Sequence, residues 1–151
     1  MSDLDSKSKA LAFLRKERIM SAAINNAERP VATVLLYAID DDFTMYFATH
    51  RSTIKAKSLA IDPKISFSVW RNHEMLIQAS GATREVTDSN QLESVLDKLA
   101  ESTTTVEDFW PPILQVKGSD YVVYEIKIDW MRALDLSNVA IHNEQQFSQI
   151  I

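Results

Sequence analysis

YFATHRSTIKAKSLAIDPKISFSVW, residues 46–70, holds the reading on which the fold turns. YFAT ends an apolar run and reads as a strand. Ser52 then stands where a helix amino-terminal cap is wanted, and a short helix is predicted over 53–61. Asp62-Pro63 stops it, because proline disfavours the helical conformation in the residue before it. KISFSVW then alternates, with Ile65, Phe67 and Val69 on one face and Ser66 and Ser68 on the other. A strand, a helical crossover and a half-buried strand therefore follow one another.

Working outward, RNHE connects this strand to a longer one, MLIQASGATREV, in which Gly81 marks a bulge or the close approach of another group. Upstream, Asp40, Asp41 and Asp42 form a solvated turn, and VATVLLYAI pairs back through the NNAERP turn to a strand beginning near Ile19. A first helix is predicted over 6–20, with Ala10, Leu11, Phe13 and Leu14 on its apolar stripe and Asp3, Asp5 and Ser6 as candidate caps. Downstream, Asp88 with Gln91 resembles a capping box opening a helix over 88–100, whose Leu92, Val95, Leu96 and Leu99 keep helical spacing. Residues 101–119 read as an irregular excursion. YVVYEIKIDWM returns as a last strand with Val122, Tyr124, Ile126, Ile128 and Trp130 on one face. Trp70 and Trp130 are expected to be buried, and the tail from Ala133 has no clear period and is expected to cap a partner subunit. Six strands with helices at the start, in a crossover and before the last strand indicate one α+β domain over 1–151, with an antiparallel sheet closing into a small barrel.

Composition narrows the chemistry. The chain has 151 residues, 46% of them apolar and 25% charged, an ordinary globular balance. It has no cysteine, which excludes disulfides, thiolate nucleophiles and cysteine-ligated metal centres. Redox chemistry would need a borrowed cofactor. The net charge of −5 argues against a nucleic-acid partner. No run approaches the roughly 18 apolar residues of a membrane span, and a cytoplasmic protein is expected. His50, His73 and His142 lack metal-ligand spacing.

Two glycines are too few for the glycine-rich phosphate loops of nucleotide-binding folds. Side chains would have to hold any phosphate. Thr49, Ser52 and Thr53 offer hydroxyls, Arg51 and Lys55 offer charge, and the helix starting near Ser52 offers unpaired N–H groups. The same residues also suit a plain capped helix with solvated cations, and spacing does not choose between the two.

A resemblance bears on that choice. Pro30 to Asp88 resembles the FMN-binding split-barrel family related to pyridoxamine 5′-phosphate oxidase. It rests on a strand pair whose turn ends in RP, on YFAT followed by hydroxyls and KAKSL, on DPKISFSVW, and on QASGATREVTD. The resemblance implies a six-stranded antiparallel Greek-key split β-barrel with flanking helices. It also implies a homodimer with FMN at the interface and an oxidoreductase activity on a small molecule. By the same resemblance Lys55 holds the phosphate with Thr49, Ser52 and Thr53; Arg51, by its charge, and His50, by its place next to the cluster, are further candidate contacts. Val31, Ala32, Thr33 and Val34 lie along the isoalloxazine ring, and Gln78 contacts the ring or ribityl chain. Trp110 either folds over the partner's flavin or anchors local packing beside Pro111-Pro112.

The chain departs from the oxidase proper. Ala32 and Tyr37 stand where that enzyme has an arginine and a lysine, and its Arg-Leu-His-Asp-Arg substrate motif has no counterpart in the stretch from Trp130 to Asp135. Pyridoxamine phosphate is therefore not the expected substrate. Two alternatives share the fold: a flavin-holding or stress-protection module without turnover, and a relative that takes haem or a deazaflavin.

Overall fold

The computed structural model describes residues 3–104, 120–137 and 143–151. Three helices, α1 (Asp3–Glu17), α2 (Ile54–Ile61) and α3 (Ser89–Thr104), flank one antiparallel sheet. Its strands are β1 (Ile19–Asn26), β2 (Arg29–Leu36), β3 (Ala38–Ile39), β4 (Met45–His50), β5 (Lys64–Arg71), β6 (Met75–Glu85), β7 (Tyr121–Asp135) and β8 (Ser148–Gln149). The order across the sheet is β2-β1-β5-β6-β7-β4-β3, with β8 added to β7. This is the α+β split barrel the sequence predicts. Among the described residues it has eight strands rather than six, because two-residue strands β3 and β8 supplement six long ones.

Period-2 alternation builds the core. Met20, Ala22 and Ile24 of β1, Ile65, Phe67 and Val69 of β5, and Ile77 and Ala79 of β6 point inward. They meet Phe13 and Leu14 of α1 and Ala56 and Leu59 of α2. On the opposite side of β4 and the start of β7, Val95 and Leu99 of α3 pack with Tyr46, Ala48 and Val123. Among the described residues no helix is long and apolar enough to cross a membrane.

Several boundaries differ from expectation for local reasons. Helix α1 ends at Glu17, not at residue 20, because Arg18 adopts a left-handed φ of 62° and its carbonyl accepts the Tyr37 N–H at 2.9 Å. The helix also begins at Asp3, so Asp5 and Ser6 lie within its first turns instead of capping it. The single strand expected from Val31 to Ile39 breaks at Tyr37, whose buried hydroxyl donates to the Leu14 carbonyl at 2.6 Å. Beyond that corner the chain leaves β1 and pairs with β4.

The bulge signalled by Gly81 is present, in the partner strand. Ser80 pairs with Trp130 and Gly81 with Ile128, leaving Asp129 as the extra residue of β7. The inward phase shifts from Ile126 before the bulge to Met131 and Ala133 after it. Trp130 is thereby turned outward and is 37% exposed; Trp70, on the outward phase of β5 with Ser66 and Ser68, is 62% exposed. Neither is buried as expected. The terminal residues dock on their own chain. Ser148 and Gln149 pair with Ala133 and Arg132, and Ile150 is fully buried.

Candidate functional site

The end of β4 and the start of α2 form one turn of hydroxyls and cations. Thr53, not Ser52, caps α2, its Oγ1 accepting from the Ala56 N–H at 3.2 Å. The Thr49 and Thr53 hydroxyls lie 3.1 Å apart, and the Thr53 hydroxyl also donates to the His50 carbonyl at 2.8 Å. Ser52 pairs with its neighbour instead, its Oγ 2.6 Å from His50 Nδ1. Four of the predicted residues, Thr49, His50, Ser52 and Thr53, are thus gathered in one loop.

The two cations of the cluster diverge. Arg51 reaches away to Glu85 at 2.6 Å. Lys55, in the first turn of α2, is half-buried and has no hydrogen bond or ion pair among the described residues. A lysine without such a partner is available to pair with an anion. The first turn of α2 adds backbone N–H groups without intrahelical acceptors beside the lysine. Lysine, hydroxyls and helix start together fit the chemistry of a phosphate monoester.

Val31, Ala32, Thr33 and Val34 lie on β2, which among the described residues pairs with β1 alone and ends the sheet. Such an edge presents unpaired backbone donors and acceptors, to which a planar heterocycle could bond. Gln78 is elsewhere. The registers Val34↔Ser21, Ser21↔Ser68, Ser68↔Gln78 and Gln78↔Arg132 set it three strands from β2 on one transverse row, about 14 Å away at the usual strand spacing. The structure does not bring it to the Lys55 turn or to the β2 edge. Trp110 lies outside the described residues, as do His142 and most of the 101–119 excursion.

Around Gln78 stands a group that the sequence reading missed. Arg132 Nε donates to Gln78 Oε1 at 2.9 Å, and its guanidinium lies 3.8 Å from the Phe147 ring centroid and 5.6 Å from that of Trp130. Glu144 closes the group with an ion pair to Arg132. The signal available was slight: Trp130 and Arg132 are two apart on one strand, and Asn143 with Gln146 makes a capping box that fixes the tail turn.

The three carboxylates of the 40–42 turn go separate ways, Asp40 to Tyr46 and Lys98, Asp41 to Arg15, and Asp42 to the Thr44 N–H. No group that could hold a metal ion occurs among the described residues.

Residues 6–135 match the family described as pyridoxamine 5′-phosphate oxidase. The chain belongs to this family. No curated protein matches it. Among solved structures it is similar to a conserved hypothetical protein of Mycobacterium tuberculosis, with a TM-score of 0.72, 19% identity and coverage of 96% of this chain and 94% of that one. It is also similar to General Stress Protein 26 of Bacillus anthracis, with a TM-score of 0.65, 19% identity and coverage of 84% and 92%. A FAD-binding protein of Mesorhizobium loti gives a TM-score of 0.66 at 19% identity, with coverage of 88% and 94%. At these identities the likeness establishes a shared fold.

Proposed function

We propose that the protein binds FMN as a homodimer and works as a small oxidoreductase. The observation that carries this reading is Lys55: a half-buried lysine with no hydrogen bond or ion pair among the described residues, in the first turn of α2, which follows directly on the hydroxyls of Thr49, Ser52 and Thr53. A phosphate monoester completes that turn. Membership of the family and the likeness to a FAD-binding protein support a flavin as its bearer. The ring would lie along the open edge of β2 at Val31 to Val34, where backbone groups can bond its nitrogens and oxygens.

When bound, the flavin supplies hydride or electron transfer, and the protein's part is to hold, orient and shield it. A second copy of the chain provides the shield. Val34, Trp70 and Trp130 are 54%, 62% and 37% exposed on the outer face of the sheet, separated by the small side chains of Ser21, Ala23, Ser66 and Ser80. A face of that kind suits close packing against another protein surface.

The visible absorbance of the purified protein, before and after adding FMN, tests the reading, with fluorescence titrations of FMN, FAD and riboflavin. Tight binding of FMN over riboflavin is expected, because riboflavin lacks the phosphate that Lys55 would hold. Equal affinity for the two sinks the phosphate assignment, and no binding of either sinks the flavin function. A haem or deazaflavin spectrum would identify the other cofactors. Bound FMN reduced by NADH or NADPH no faster than free flavin would instead favour a flavin-holding module, a role to which the likeness to a general stress protein lends support.

A further inference from the structure

Arg132 is held more tightly than a surface arginine needs to be. Its guanidinium stacks on Phe147 at 3.8 Å, with Gln78 fixing Nε at 2.9 Å and Trp130 flanking it at 5.6 Å. The strand is anchored on one side by β6 and on the other by β8, where Arg132 faces Gln149. The Asn143–Gln146 capping box then sets the turn that carries Glu144 and Phe147. Orientation is supplied from three separate segments of the chain, and little rotamer freedom remains to be lost when a ligand binds.

The group that takes the charge is held much less firmly. Glu144 forms the ion pair to Arg132, yet its side chain is 78% exposed, whereas that of Arg132 is 23% exposed. Exposed ion pairs contribute little, so another oxyanion can replace this carboxylate at small cost. A guanidinium fork matches a planar carboxylate in two-point contact. The neighbouring Trp130 and Phe147 rings offer apolar surface to whatever carries it.

We propose that Arg132 is a binding site for an aryl carboxylate, with Glu144 as a built-in competitor that occupies the fork until the ligand arrives. Arg132 shares the transverse row of Val34, Ser21, Ser68 and Gln78, on the face to which the second copy is assigned above. That the ligand is the substrate of the flavin rests on that reading; that Arg132 binds the carboxylate does not.

Calorimetric titration of benzoate into the full chain, with and without FMN, tests the site. Glu144→Ala and Glu144→Gln are expected to bind benzoate roughly two- to fivefold more tightly than the unaltered protein, the range set by loss of one exposed ion pair. Arg132→Gln is expected to abolish binding and Phe147→Leu to weaken it, with thermal unfolding confirming that each variant is folded. Affinity unchanged or lowered in both Glu144 variants overturns the competitor role. Benzoate binding that survives Arg132→Gln, or that is undetectable in Glu144→Ala at millimolar concentration, overturns the site. Benzoate binding in a protein that takes no FMN supports the site and removes only the flavin reading.

Discussion

Gly81 packs against Ile128 so closely that a Cβ on the glycine would lie 2.9 Å from the Ile128 Cα and collide with the Lys127 carbonyl. The contact is backbone to backbone, so no flexible side chain can yield. It sits at the bulge that leaves Asp129 unpaired and turns Trp130 outward. Gly81→Ala is therefore expected to destabilise the fold by about 3 kcal/mol, the upper end of the range for overpacking. Urea unfolding measures it, and a loss below about 1 kcal/mol would mean that β7 shifts easily.

Lys55→Ala is expected to weaken FMN binding by about 1.5 to 3 kcal/mol, the value of a charge-assisted hydrogen bond. The side chain contributes no hydrogen bond or ion pair among the described residues, so stability should hardly change. Fluorescence titration with a parallel thermal melt separates the two effects. Unchanged affinity would assign the phosphate elsewhere. Ser52→Ala should cost less than Thr49→Ala, because Ser52 pairs with His50 while Thr49 faces the Thr53 cap.

Trp70→Ser tests the outer face. The indole is 62% exposed and touches the core of its own chain little, so its removal should leave the monomer folded. Sedimentation velocity is expected to show a dimer for the unaltered protein and a shift toward monomer for Trp70→Ser and more so for Val34→Asp with Trp70→Ser. A variant as dimeric as the parent would place the second copy on another surface.

Much of the barrel was readable because one face of each strand is buried. KISFSVW shows its alternation directly, and Ile65, Phe67 and Val69 are inward as read. Asp88 was legible as a helix start, its Oδ1 accepting the Gln91 N–H at 2.9 Å, though the Gln91 side chain turns to Glu125 instead of completing the box. The errors have a common cause. Tyr37 breaks its strand through bonds to Leu14 and Arg18, and Asp129 reverses the phase of β7 through its pairing with β6, and neither contact is encoded locally. At the site, the hydroxyls from Thr49 to Thr53 are contiguous and could be found together. Arg132, Gln78 and Phe147 come from three separate segments, and only the fold collects them.

Tyr37→Phe tests the corner that separates β2 from β3. The hydroxyl is buried and donates to the Leu14 carbonyl, and burial raises its pKa well above the ordinary tyrosine value, so it stays protonated as a donor. Removing it leaves the carbonyl of the α1 end without this partner. A loss of about 1 to 2 kcal/mol is expected by urea unfolding, without change in FMN affinity. A fall in affinity would instead mean that the corner sets the path of β2 past the flavin.

Asp62 should be visible in the acid limb of the stability curve. Its carboxylate accepts the Lys64 N–H at 3.1 Å and the Asn25 amide at 3.1 Å, and these bonds, the backbone one foremost, lower its pKa from the ordinary value of 3.8. A carboxyl whose pKa is lower in the folded chain adds stability above its unfolded pKa and loses it as the pH falls through the folded one. Stability should therefore decline below about pH 4 in part through this residue. Asp62→Asn keeps an oxygen for the Lys64 N–H but cannot titrate. Its melting temperature is expected to lie below that of the parent at neutral pH and to converge with it between about pH 4 and 2, because the amide never has the charged acceptor that the parent loses there. Parallel acid limbs for parent and variant would show that the Asn25 and Lys64 bonds do not discriminate between the charged and neutral carboxyl.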